Sequence, residues 1–164
     1  LQAHKYLGVK ETTNLELPCV TLNQVEKHIL NRKIEETVER IQPEYVYLPH
    51  FGDMHIDHRV VAEAVLVGCR PLKKYIKGIY SYETLSETEW NFNHSSNAFL
   101  PNYFINITDT LAEKMKAMSY IREQLKEFPH PRSLEAIRAL AEYRGATIAE
   151  KAAEAFCVVR EYDR

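Results

Sequence analysis

"PEYVYLPHFGDMHIDHRVVAEAVLVGCRP" (residues 43–71) changes its hydrophobic rhythm partway along. Its first part, "EYVYLP" (44–49), is β-branched and aromatic and reads as a buried strand. Its last part sets Val60, Val61, Ala64, Val65 and Val67 among few polar residues, which predicts a mostly buried helix from about Asp57 to just before Pro71. Between them, a short loop collects His50, His55 and His58, three of the chain's 7 histidines, with Asp53 and Asp57. A strand that runs through such a loop into a helix is half of a βαβ unit. In open sheets built from these units, ligands collect beyond the carboxyl ends of the strands, where this loop lies.

Working outward, "NRKIEETVERIQP" has Ile34, Val38 and Ile41 on one face and predicts a helix stopped by Pro43. Before it, "NLELPCV" (14–20) predicts a short strand, and "LQAHKYLGVKE" reads as the last turns of a helix closed by Gly8. After the histidine loop, "GIYSYE" (78–83) and "YFINI" (103–107) predict strands, joined by a long polar surface excursion. Three helices are then expected. "TLAEKMKAMSYIREQLKEF" is capped by Thr108 or Asp109, "HPRSLEAIRALAEYRG" is capped by Ser133 and closed by Gly145, and "TIAEKAAEAFCVVREY" is amphipathic. The order of elements predicts an α/β layered sheet with flanking helices, in a single domain over 1–164.

A net charge of −2 leaves no basic surplus for phosphates, so nucleic acid and anionic membranes are poor partners and a small molecule is the better substrate. Cys19, Cys69 and Cys157 are odd in number and far apart, which excludes a disulfide framework and fits the reducing cytoplasm. No stretch has the apolar length of a membrane span.

Within the loop, His55 and His58 can turn toward one point, and Asp57 can orient an imidazole through its Nδ1 hydrogen. A catalytic zinc takes three protein ligands and a water whose pKa it lowers to roughly 7. The same residues also admit a plain reading: a His-x-x-His pair arises by chance, Asp57 can cap the helix, and His50 can stack on the strand end. A complete metal site from His50, Asp53, His55 and His58 would leave no group free to act as acid.

The 43–71 stretch resembles the second signature of the LmbE/PIG-L family of metal-dependent N-acetylglucosaminyl deacetylases, Asp-x-His/Asn-x-Asp-His between a strand and a helix. "ETEWNF", "PNYFINITDTLAEKMKAM", "FPHPRSLEAIRALAEYRG" and "AEAF" resemble the rest of that family's carboxyl half, in the branch of the bacillithiol-type deacetylases. The resemblance implies a Rossmann-like fold and hydrolysis of an N-acetylglucosamine-type acetamide. It implies His58 as a ligand to Zn2+, with Fe2+ or cobalt also compatible with such donors, and His55 as the acid that stabilises the oxyanion. It further implies Asp57 as the group that holds the His55 ring, and Arg132 in "PHPRS" as a substrate-side cation. Trp90 and Phe92 would either wall a sugar face or anchor the excursion.

The family's first signature, His-Pro-Asp-Asp-Glu, supplies two further ligands and the general base, and no stretch of the 164 residues replaces it. The expectation is an amino-terminally incomplete domain without its first strand-helix-strand, inactive alone, with exposed sheet edges that favour a homo-oligomer. The competing reading is a metal-free remnant that serves as a small-molecule binding or scaffold module.

Overall fold

The computed structural model describes residues 2–91 and 94–164. The helices are α1 (Gln2–Tyr6), α2 (Lys27–Ile41), α3 (Ile56–Gly68), α4 (Leu111–Ser119) and α5 (Leu134–Ala146). The strands are β1 (Tyr45–Pro49), β2 (Gly78–Tyr82), β3 (Tyr103–Asn106) and β4 (Ala153–Glu161), hydrogen-bonded in the order β1-β2-β4-β3. The result is a mixed four-stranded sheet with flanking helices, the expected α/β class. Its residues cluster into two compact units, one of 15–103 with 156–164 and the other of 1–14 with 104–155.

In the larger unit, β1, α3 and β2 form a parallel βαβ unit in which Tyr45 lies opposite Gly78 and Pro49 opposite Tyr82. β4 runs antiparallel to β2, with an irregularity between Ile79 and Tyr80. α2 presents Leu30, Ile34 and Val38 along one stripe, and the chain leaves it through Gln42 in the left-handed region, φ 50°, just before Pro43. Val38, Leu48, Ala62, Val65, Cys69, Ile76 and Ile79 close into one core between α2, α3 and the sheet. Each large apolar side chain buried there contributes about 1.5–3 kcal/mol. Gly68 lets α3 lie against α2, since a Cβ there would come within 2.9 Å of Ile34 Cγ2. The opposite face of the sheet is aromatic: Tyr47 and Tyr103 both stack on Tyr80, and Phe156 tilts against Tyr47.

In the smaller unit, α4 packs on α5 and α1, burying Ala3, Ala117, Ile137 and Ala141. Ser133 caps α5 by accepting from the Ala136 N–H at 3.1 Å, as its sequence predicts. The Ile107 N–H donates to the Ala152 carbonyl at 3.0 Å where β3 ends beside the start of β4.

Four expectations from the sequence are corrected. Residues 14–20 form no strand: Glu16 and Val20 adopt left-handed backbone, φ 52° and 68°, and the Val20 N–H is bound by a side chain instead of a ladder partner. β1 is buried only in part, because Tyr45 and Tyr47 are exposed while Leu48 is sealed in the core. The helix expected over 110–128 stops at Ser119, and neither Thr108 nor Asp109 caps it. There the Ile121 N–H turns back to the Met118 carbonyl, and Arg132 holds Gln124 and Lys126, so tertiary bonds replace a ladder that propensity alone would have continued.

The largest difference is the last element, which is a strand and not an amphipathic helix. Ala149 turns the chain with φ 61°, and Gly145 admits the Ala152 backbone to within 2.6 Å of where a Cβ would stand. The run "AFCVV" then fits the slot between β2 and β3, where aromatic and β-branched side chains pack well.

Candidate active site

The site lies where β1 delivers the chain to α3, all of it in the larger unit. His55 is the residue before α3, in extended backbone, and its Nδ1 accepts from the Asp57 N–H at 3.2 Å. That contact satisfies an orphan donor of the first turn and leaves the His55 proton on Nε2. One turn on, the His58 ring stacks beside it, with centroids 5.0 Å apart and planes at 18°.

His58 is held from below. Its Nδ1 donates to Asp53 Oδ2 at 2.8 Å, and the fully buried Asp53 accepts the Thr88 hydroxyl on its other oxygen at 2.6 Å. A carboxylate that accepts on both oxygens requires the His58 proton at Nδ1, so the Nε2 lone pair faces outward. The pKa of His58 is raised, first by the hydrogen bond to Asp53 and then by the negative charges of Asp53, Glu87 and Asp57, against the opposing cost of burial. Nearby, burial pushes the Tyr82 hydroxyl up, with the Asp53 charge adding to it.

The two stacked imidazoles thus offer opposite chemistry. His55 presents an N–H that can donate to a developing negative charge; His58 presents a lone pair that can ligate a metal or accept a proton.

Asp57 meets the His55 ring through its backbone N–H, and its side chain is engaged elsewhere. Its carboxylate, nearly buried, accepts the backbone N–H groups of Val20 and Leu22, the latter at 3.1 Å. It therefore pins the 20–22 segment to the start of α3. His50 turns away from the loop: it is fully buried, its Nε2 donates to the Asn97 carbonyl at 3.1 Å, and its ring sits against Phe51 and Phe99. A four-ligand set of His50, Asp53, His55 and His58 is therefore not assembled, and among the described residues no three His, Cys, Asp or Glu side chains converge to hold a metal. The donor set within the described residues amounts to one well-oriented imidazole, fewer than the three protein ligands a catalytic zinc takes.

Arg132 belongs to the smaller unit, where its Nη1 donates to Gln124 Oε1 at 2.5 Å. Trp90 lies half-exposed in a 3-10 turn at Glu89–Asn91, and Phe92 falls outside the described residues. The sequence offers Asp53 as one of the loop's candidate donors, not as the group behind His58, and Thr88 not at all. Asp53 carries a local signal, five residues before His58, but Thr88 is 35 positions from its partner and nothing in the pattern marks it.

Fold and site together define an α/β protein with a paired-imidazole centre at the carboxyl end of a parallel strand. Residues 1–68 match the family model described as PIG-L: GlcNAc-PI de-N-acetylase. The matched segment includes β1, the histidine loop and α3, and it agrees with the family resemblance read from the sequence.

Among solved structures, a conserved protein from Thermus thermophilus superposes with a TM-score of 0.75 at 21% identity, over 99% of this chain and 72% of that one. The 4-carboxy-2-hydroxymuconate hydratase GalB from Pseudomonas putida follows with a TM-score of 0.69 at 17% identity, over 99% and 70%. The N,N'-diacetylchitobiose deacetylase from Pyrococcus horikoshii has a TM-score of 0.63 at 19% identity, over 96% and 60%. At these identities the likeness is one of fold, and a hydratase and a deacetylase share it. Among the described residues, no helix is long and apolar enough to cross a membrane.

Proposed function

We propose that this domain serves hydrolytic N-deacetylation of an N-acetylglucosamine-type substrate, releasing acetate and a free amine. The observation that carries the reading is the His55–His58 pair, with one ring's N–H and the other ring's Nε2 lone pair presented side by side. The family match over the same segment supports it, as does the deacetylase among the fold neighbours. The bacillithiol-type branch, a cytoplasmic location and a homo-oligomeric state belong to the same proposal.

In this reading His58 is one ligand of a divalent metal, zinc first and Fe2+ second, with Asp53 as the carboxylate behind the ligand. The metal would polarise the acetamide and supply hydroxide. His55 donates from Nε2 to the oxygen that gains charge, and when protonated gives its proton to the departing amine, a contribution of about 10²–10⁴-fold. Trp90 is proposed to meet the substrate.

The alternative reading is a metal-free small-molecule binding or scaffold module.

One experiment separates the two: acetate release from N-acetylglucosamine derivatives, with metal content measured on the same preparation and on His58→Ala and His55→Ala. A deacetylase loses metal and activity together in His58→Ala, whereas His55→Ala keeps its metal and loses rate. No acetate and no bound metal in the wild type refutes the deacetylase reading for this chain. Wild-type kcat in His55→Ala removes the role given to that residue.

A further inference from the structure

The excursion after β2 stood out in the sequence as a long polar segment, yet its first turn is buried where it meets the histidine loop. Thr88 and Ser86 are nearly inaccessible. The Thr84 N–H donates to Thr88 Oγ1 at 2.7 Å, and the Thr88 hydroxyl in turn donates to Asp53 Oδ1 at 2.6 Å. The Ser86 N–H bonds Glu89 Oε1 at 2.6 Å, which folds the turn on itself. Asn91 Nδ2 donates to the Gly52 carbonyl at 2.8 Å, and the Met54 N–H donates to the Glu87 carbonyl at 3.0 Å. The turn therefore grips residues 52–54 on both sides of Asp53.

These bonds have a fixed direction. Asp53 accepts on both oxygens, so Thr88 must spend its one hydrogen there, and the Thr84 N–H occupies a lone pair of the same hydroxyl. With Oδ1 tied, the carboxylate cannot rotate freely, and Oδ2 stays aimed at His58 Nδ1.

We propose that Thr88 is a positioning residue for His58: through Asp53 it locks the imidazole in the Nδ1–H tautomer and so keeps the Nε2 lone pair outward. The turn of residues 84–91 is then a bracket that sets the protonation geometry of a ring on another element, 30 positions before it in the chain. The inference rests on the ligand reading of His58 only for its purpose, since the tautomer is fixed whether or not metal binds.

The test is nitrogen NMR of the imidazoles in the 164-residue chain, in chelator and at alkaline pH where the rings are neutral. In the wild type, His58 carries its hydrogen on Nδ1. Thr88→Val lowers the ratio of Nδ1–H to Nε2–H about fivefold, the equivalent of one ordinary hydrogen bond. Thr88→Ser, which keeps the hydroxyl, retains the wild-type ratio. Thr88→Ala is a second truncation that adds no methyl group to the turn. A wild-type His58 in the Nε2–H form overturns the proposal, and that reading needs no variant at all. So does a loss of thermal stability in Thr88→Val or Thr88→Ala with the tautomer ratio unchanged, which would make Thr88 merely structural. Failure to release acetate with the tautomer lock intact would refute the deacetylase reading and leave this one standing.

Discussion

Gly52 sits at the tightest point of the histidine loop, and Gly52→Ala tests whether the excursion is clamped there. A Cβ would lie 2.4 Å from the Asn97 carbonyl oxygen, 2.7 Å from His50 Nε2 and 2.8 Å from Asn97 Cα. Two of those atoms are the partners of the His50–Asn97 hydrogen bond, so the methyl group would enter the bond itself. Ordinary contact begins at 3.4 Å, and two of the three neighbours are backbone that cannot swing aside as a side-chain tip could. The 95–97 turn must retreat, which strips a fully buried imidazole of its acceptor.

Overpacking of this kind costs about 1–3 kcal/mol, and an orphaned buried donor costs about 1–3 kcal/mol more. A combined loss near 3 kcal/mol lowers Tm by roughly 6–12 °C for a chain of this size. Thermal unfolding followed by circular dichroism gives that number, and the doubly substituted His50→Ala/Gly52→Ala protein gives the coupling. Removing the imidazole relieves one clash, so the double variant is more stable than the sum of the two single losses. A Tm within about 2 °C of wild type in Gly52→Ala, less than 1 kcal/mol by the same scaling, would show that the loop and the 95–97 turn are not packed as described.

Two further outcomes follow from the carboxylates of the site. Asp57→Ala leaves the Val20 and Leu22 N–H groups without their acceptor. It should cost about 1–3 kcal/mol, with amide exchange accelerating at 20–22 first; slow exchange there would return Asp57 to a role at the His55 ring. Asp53 and His58 make metal-free stability depend on pH. Because the folded pKa of His58 is raised, their stabilisation is complete below the unfolded value of about 6.5 and is lost as pH rises through the folded value. Urea unfolding should therefore show a larger deficit for Asp53→Asn at about pH 6 than at about pH 8.5, and a deficit that grows with pH contradicts the assignment.

The parts legible in the chain are those whose cause is local. The period change in 43–71 marks β1 and α3, Pro43 and Gln42 end α2, and Ser133 starts α5, because each rests on a backbone preference acting within one turn of chain. His55 and His58 were legible as a pair for the same reason, since residues three apart at a helix start share a face. What the tertiary structure decided depends on partners distant in the chain. "AEKAAEAFCVV" has helical composition in its first half, and only the slot between β2 and β3 makes its second half a strand. Asp57 looked like the partner of His55 because it is near in sequence, but the 20–22 segment offers it two N–H groups from more than 30 positions away. Thr88 reaches Asp53 across 35 positions by way of β2, and a hydrogen bond closed over that distance leaves no periodic trace in the chain that makes it.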